Sequence, residues 1–204
     1  MKVKWLFFDV GTTLVNEEKA YDYRVYEMIQ GTNITFEEFN SKRIEFATQG
    51  LDGNSAAIKE LGLKKSPWPS EKEILYDDTI ELLEYLKSKR YKLGIIANQK
   101  QGLKNRLEKF GVLKYFDIVL ASEEVGVSKP NRKIFELALS KVNCKANECF
   151  MIGDRLDNDI VPANQIGIKT IWIRQGLTKY QPIKLGRAYS NFVVSSLSEI
   201  KDIL

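Results

Sequence analysis

Two hydrophobic periods divide this chain. Residues 3–8, VKWLFF, form a short apolar run, as a strand buried on both faces requires. Between about 18 and 75, β-branched runs vanish and helix-like spacing takes over. EEKAYDYRVYEMIQ places Tyr23, Tyr26 and Ile29 or Gln30 near one helical face. In NITFEEFNSKRIEFATQG, Phe36, Phe39, Ile44 and Phe46 recur more loosely, and Thr35 with Glu38 fits a capping box. NSAAIKELGL predicts a third short helix ending at Gly62, and KKSPWPS is a proline-marked break. Ser70 with Glu73 reads as another capping pair.

Strict alternation follows. DDTIELLEYLKSKRY predicts a helix capped by Asp78 and Glu81, with Ile80, Leu83 and Leu86 on one face. KLGIIAN is a strand, and QKQGLKNRLEKFGV a helix closed by Gly111. FDIVLAS is a strand, and NRKIFELALSKV a helix with Pro130 in its first turn. ECFMIGD is a strand, DIVPANQIGI a helix, KTIWIRQG a strand, NFVVSS a last short strand and LSEIKDIL a closing helix. Such alternation implies an α/β fold: a Rossmann-like parallel sheet with helices on both faces. The expected organisation is a core of residues 1–16 and 77–204, with 17–76 inserted as a small all-helical domain. A chain of 204 residues is long enough for both.

Right-handed crossovers put every strand's C-terminal end on one edge, where ligands sit in sheets of this kind. Asp9, Asn98, the loop carrying Lys129, and Asp154 all fall at or just past such ends. The chain has no histidine, so acid–base work falls to Asp, Glu, Lys, Tyr or Cys. Its two cysteines, Cys144 and Cys149, read as small apolar residues rather than a zinc site. A net charge of +4 without a dense basic block suits anionic metabolites, not nucleic acid. No apolar run reaches the roughly 18 residues of a membrane span, and no separate leader segment precedes the first strand. The expectation is a cytoplasmic protein with a small-molecule partner; the oligomeric state is left open.

In MIGDRLDNDIVPAN, Asp154, Asp157 and Asp159 crowd within six positions. One reading is helix capping by Asp157 or Asn158. The other is a hard divalent cation, because close carboxylates repel unless a positive charge joins them. Lys129 is either a solvated lysine or the point charge that neutralises them. Asn98 and the N–H groups after it can donate to an anion.

These stretches, in this order, resemble the motifs of the haloacid dehalogenase (HAD) superfamily of hydrolases. FFDVGTTLV resembles its first motif, LGIIANQ the second, SKP the third and GDRLDND the fourth, and the inserted helices resemble its cap domain. The resemblance implies a hydrolase with Asp9 as nucleophile and Lys129 as catalytic cation. It further implies Mg²⁺ held by Asp9, the Gly11 carbonyl and Asp154, and Asn158 and Asp159 supporting from behind. Thr13 and Asn98 would bind the substrate, a small phosphorylated metabolite. Two positions depart from the pattern. Gly11 stands where the family's phosphatases carry a second aspartate for proton transfer, and Ala97 where a hydroxyl would hold phosphate. Glu17, Glu18 and Asp22 are candidates to supply the missing acid. Three other readings stay open: a weakly active or inactive metal- and anion-binding member, a phosphonate hydrolase (with Lys19, Lys42 or Lys59 as its amine), and a haloacid hydrolase.

Overall fold

The structure, a computed structural model, describes residues 3–204. Strand β1 (Trp5–Phe8) leads through a tight loop to β2 (Val15–Asn16). Three helices follow, α1 (Glu18–Ile29), α2 (Phe36–Thr48) and α3 (Gly53–Glu60). The chain returns through β3 (Ile74–Leu75), antiparallel to β2. Then come α4 (Thr79–Ser88), β4 (Lys92–Ala97), α5 (Leu103–Lys109), β5 (Ile118–Ala121), α6 (Ser122–Val125) and α7 (Arg132–Val142). The last elements are β6 (Cys149–Gly153), α8 (Val161–Gln165), β7 (Lys169–Ile173), α9 (Ile183–Tyr189) and β8 (Phe192–Val194).

Six parallel strands make the main sheet in the order β5-β4-β1-β6-β7-β8, with β1 central. β1 is buried on both sides, as its apolar run requires. Leu6 and Phe8 pack with Leu82, Leu83 and Leu86 of α4 and Leu107 of α5. Phe7 faces the other way, onto Ile134, Phe135 and Ala138 of α7. Gly94 in β4 makes room for that ring: a Cβ there would lie 2.7 Å from Phe7 Cδ1. The inserted helices keep a separate small core of Val25, Met28, Phe39, Ala57 and Ile58. Residues of these helices and of the sheet's strand ends line one cleft, so the helices are called the cap below.

Several local expectations change. The buried face of α4 is Leu82, Leu83 and Leu86, whereas Ile80 is 44% exposed. In α1 the buried residues are Ala20, Val25 and Met28, and Tyr23 and Tyr26 turn outward. Tyr26 instead stacks on Phe36 across the cap surface, with ring centroids 4.8 Å apart. Thr35 caps α2 as expected, accepting from the Glu38 N–H at 3.1 Å. Asp78 caps nothing through its side chain; it accepts from the Ser198 N–H and hydroxyl, and Glu81 pairs with Lys201. Ser70 opens only a short 3₁₀ turn, and the capping role expected of Glu73 is not made. Asn131, not Pro130, marks the start of α7. The closing segment Ser198–Asp202 is a 3₁₀ turn, and the β2–β3 ribbon at the base of the cap was not expected. No helix among the described residues is long and apolar enough to cross a membrane.

Candidate active site

The strand ends deliver a cluster of charges. Asp9 leaves β1 with its N–H bonded to the Ile152 carbonyl of β6 at 2.9 Å, which keeps it beside Asp154. Lys129, 4% exposed, places Nζ 2.6 Å from Asp9 Oδ1 and 2.6 Å from Asp159 Oδ1. Carboxylate oxygens of Asp9, Asp154 and Asp159 lie within 4.8 Å of one another. Asp159 approaches so closely because residue 153 is glycine; a Cβ there would sit 2.4 Å from Asp159 Oδ2. Its Oδ2 also accepts from the Arg155 N–H at 3.0 Å.

The charges are not balanced. Burial works against the Lys129 ammonium, but Asp159 and Asp9 outweigh it and raise its pKa. One lysine serves two carboxylates, so burial still raises the Asp159 pKa, with Lys129 pulling against it and Asp9 adding to it. Asp154 is worse placed: burial first, then Asp159, Asp9 and Glu17, push its pKa well above the usual carboxylate value. Its carboxylate receives only a long hydrogen bond from the Thr13 hydroxyl, 3.4 Å.

Other expected residues take specific places. The Asn98 amide grips the Lys129 main chain from both sides, accepting from its N–H and donating to its carbonyl at 2.8 Å each. Thr13 is fully buried behind Asp154. Gly11 and Asn158 line the cleft in front. Ala97 ends β4 without a polar side chain. Asp157 does not cap the helix after β6; it forms a two-bond pair with Arg155, at 3.0 and 2.6 Å.

A cleft of about 1110 Å³ separates this floor from the cap. On its hinge side, where the chain enters and leaves the inserted helices, the sequence pointed to Glu17 but not to the partners around it. Arg106 of α5 binds both Glu73 oxygens, at 2.8 and 2.7 Å, and the Gln99 side chain at 3.0 Å. Glu73 also accepts from Trp68 Nε1 at 2.6 Å. Glu17 stands 3.6 Å from Arg106 Nη2 and accepts from the Thr12 hydroxyl at 3.2 Å. Thr12 itself holds a left-handed backbone, φ 55°, unusual for a β-branched residue. Burial pushes the Glu17 pKa up to about 7; Arg106 and the Thr12 hydroxyl lower it, while Glu73 and Asp9 raise it. Across the cleft mouth, Arg155 Nη1 reaches Asp52 of the cap at 2.9 Å. The ion pairs of Arg106 and the Arg155–Asp52 pair have no local sequence signature, because each joins residues far apart in the chain.

Known proteins resemble this chain in sequence and in fold. The chain is 37% identical over 132 residues to the glyceraldehyde 3-phosphate phosphatase of Methanocaldococcus jannaschii, covering 63% of this chain and 56% of that enzyme. It is 29% identical to the pyrimidine 5′-nucleotidase YjjG of Escherichia coli, covering 100% of this chain and 99% of that one. A HAD phosphatase from Thermococcus onnurineus superposes with a TM-score of 0.68 at 25% identity, over 100% of this chain and 97% of that one. The magnesium-bound HAD-hydrolase YfnB of Bacillus subtilis shares the fold, with a TM-score of 0.73 at 20% identity, over 100% and 99% of the two chains. Residues 6–173 match the haloacid dehalogenase-like hydrolase family, and with its strand-end carboxylates and buried lysine in place the chain belongs to that family of hydrolases.

Proposed function

We propose that the protein is a Mg²⁺-dependent phosphatase acting on a small phosphorylated metabolite through an aspartyl-phosphate intermediate. The observation that carries this reading is the floor cluster: Asp9 at a strand end, held by buried Lys129, beside two carboxylates that lack enough positive charge. That deficit, and an all-oxygen donor set, fit a hard divalent cation. Asp9, the Gly11 carbonyl and Asp154 would hold it, with Asn158 and Asp159 behind. Bound there, it supplies Lewis-acid neutralisation of the phosphoryl oxygens.

The chain's own residues do the rest. Asp9 attacks phosphorus as the nucleophile. Lys129 holds Asp9 in place and offers its charge to the transferring group. Asn98 anchors the Lys129 main chain, so it positions that ammonium besides facing the substrate. Thr13 supports Asp154 at the back of the phosphate cradle. The cap, residues 17–76, closes over the leaving group and sets specificity. Relatives named for glyceraldehyde 3-phosphate and pyrimidine 5′-nucleotide hydrolysis support a small phosphate ester as substrate.

Turnover of a phosphate-ester panel with Mg²⁺, with Asp9→Asn alongside, tests the reading. The variant is expected to lose at least about 10³-fold, the scale of deleting a nucleophile. Equal turnover by the two proteins would sink the aspartyl mechanism. Full activity in excess chelator would remove the metal. The bare positions Gly11 and Ala97 favour a second reading, a weakly active member that binds the ion and an anion. Mg²⁺ binding without turnover of any ester would select it.

A further inference from the structure

The hinge-side carboxyl of Glu17 has no part in the floor chemistry, yet its placement is tightly specified. It lines the same cleft as Asp9. Its side chain is 13% exposed and packs against the Gly11 backbone: a Cβ on residue 11 would lie 2.6 Å from Glu17 Oε1 and 2.9 Å from its Cδ. Gly11 is not among the residues with positive φ, so backbone conformation does not demand glycine there. The room beside it is taken by the Glu17 carboxyl, the far end of a flexible side chain. Of the other two carboxylates at the start of the cap, Glu18 also lines the cleft and Asp22 does not. Glu18 is half exposed and faces Lys179, and Asp22 pairs with Arg43 at 3.2 Å.

We propose that Glu17 is the general acid–base of this site, a carboxyl delivered from the cap junction into the space beside residue 11, which makes the enzyme competent on alkyl phosphate monoesters. The inference rests on the phosphatase reading above. In-line attack by Asp9 puts the leaving oxygen on the side away from the floor, toward the cap. An alkoxide leaves poorly without a proton, and the chain has no histidine to give one. Lys129 and Arg106 are committed to carboxylates. Glu17 remains. In the first half-reaction an Asp9 oxygen bonds to phosphorus and the phosphorus–alkoxy bond breaks. Its electron pair stays on the alkoxy oxygen, which takes the Glu17 proton. In the second, water attacks the aspartyl phosphate, its proton goes to Glu17, and the phosphorus–Asp9 bond breaks. The sum is ester plus water to alcohol plus phosphate, with both carboxyls regenerated.

The test compares two substrates on four proteins: the panel's fastest alkyl phosphate, and p-nitrophenyl phosphate, whose leaving group needs little help. Glu17→Gln is expected to lower kcat/KM on the alkyl ester by about 10²–10³-fold while largely sparing the aryl ester. The variant's kcat falls on both esters, because they share the second half-reaction, so a urea unfolding curve checks the fold instead. Gly11→Asp alone brings no gain, because its side chain meets Glu17. Gly11→Asp combined with Glu17→Ala regains alkyl turnover. An unchanged alkyl-to-aryl ratio of kcat/KM in Glu17→Gln overturns the proposal. So does a wild-type enzyme that hydrolyses aryl but no alkyl esters. Undiminished turnover by Asp9→Asn would instead sink the underlying phosphatase reading, whatever Glu17 does.

Discussion

The floor of the cleft and its hinge side are both clusters of carboxylates around one cation, and the cation's geometry separates them. On the floor, Lys129 is a point charge divided between Asp9 and Asp159, which leaves Asp154 uncompensated. At the hinge, Arg106 spends its planar fork on one partner, Glu73, and leaves Glu17 at the margin. Each cluster thus keeps one carboxyl in reserve. The floor's reserve suits a metal ion, and the hinge's suits a proton. A third cluster, at the opposite end of the sheet, reverses the ratio, with two ammonium groups on one carboxylate. There Asp117 receives Lys87 at 3.0 Å, Lys92 at 2.8 Å and the Leu93 N–H at 3.0 Å, and no carboxyl is left over.

The largest test removes the two cations. Lys129→Met strands two buried carboxylates and is expected to cost about 3–5 kcal/mol in urea unfolding, together with all turnover. Arg106→Leu strands Glu73, which keeps its Trp68 donor, and removes the looser 3.6 Å partner of Glu17, so its cost should fall at or below the low end of that range. Equal losses would erase the distinction between a shared and a dedicated cation.

A smaller effect should change sign with magnesium. In excess chelator, Asp154→Asn removes repulsion and is expected to raise the melting temperature by a few degrees, on the scale of roughly 2–4 °C per kcal/mol for a chain of this size. With Mg²⁺ the wild type should gain more than the variant, and the order should narrow or reverse. A variant that melts lower than wild type in chelator would show Asp154 to be well satisfied on its own.

The smallest effect belongs to Asp117. Burial alone would raise its pKa, but Lys92, the Leu93 N–H and Lys87 outweigh it and hold it below the usual value. A carboxylate depressed in the folded state stabilises fully above its unfolded pKa, about 3.9, and loses that contribution as pH falls through the folded value. Asp117→Asn should therefore cost about 1 kcal/mol or less at pH 7, a surface-pair magnitude, and nothing once the pH lies well below the folded pKa. A cost that persists in acid would assign the effect to packing.

Much of this protein was legible because its signals are local. Runs such as VKWLFF and LGIIAN, each bounded by a polar residue, identify strands, and the alternation with helices forces the strand ends onto one edge. Asp9, Asn98, Lys129 and Asp154 could be gathered there before any coordinates. The errors came where two local patterns competed. Ile80 fits the same helical stripe as Leu83 and Leu86, yet the sheet takes Leu82 and leaves Ile80 in water. Ser70 and Glu73 have capping-box spacing, but Arg106, thirty-three residues on, offers Glu73 a charge-assisted fork, which outweighs a cap on so short a turn.

By itself, then, the sequence determined the α/β architecture, the helical insertion, the strand-end carboxylates and the absence of a side chain at residue 11. Hydrophobic period and chain order suffice for those. Only the tertiary structure decided how the charges are shared: that Asn98 anchors Lys129, that Thr13 stands behind Asp154, and that Glu17 fills the space beside Gly11. Such facts depend on distances between residues remote in the chain, and a one-dimensional pattern carries no distances. Gly11 looks like a loss when read along the chain, and in the folded molecule it is the room for another residue's carboxyl.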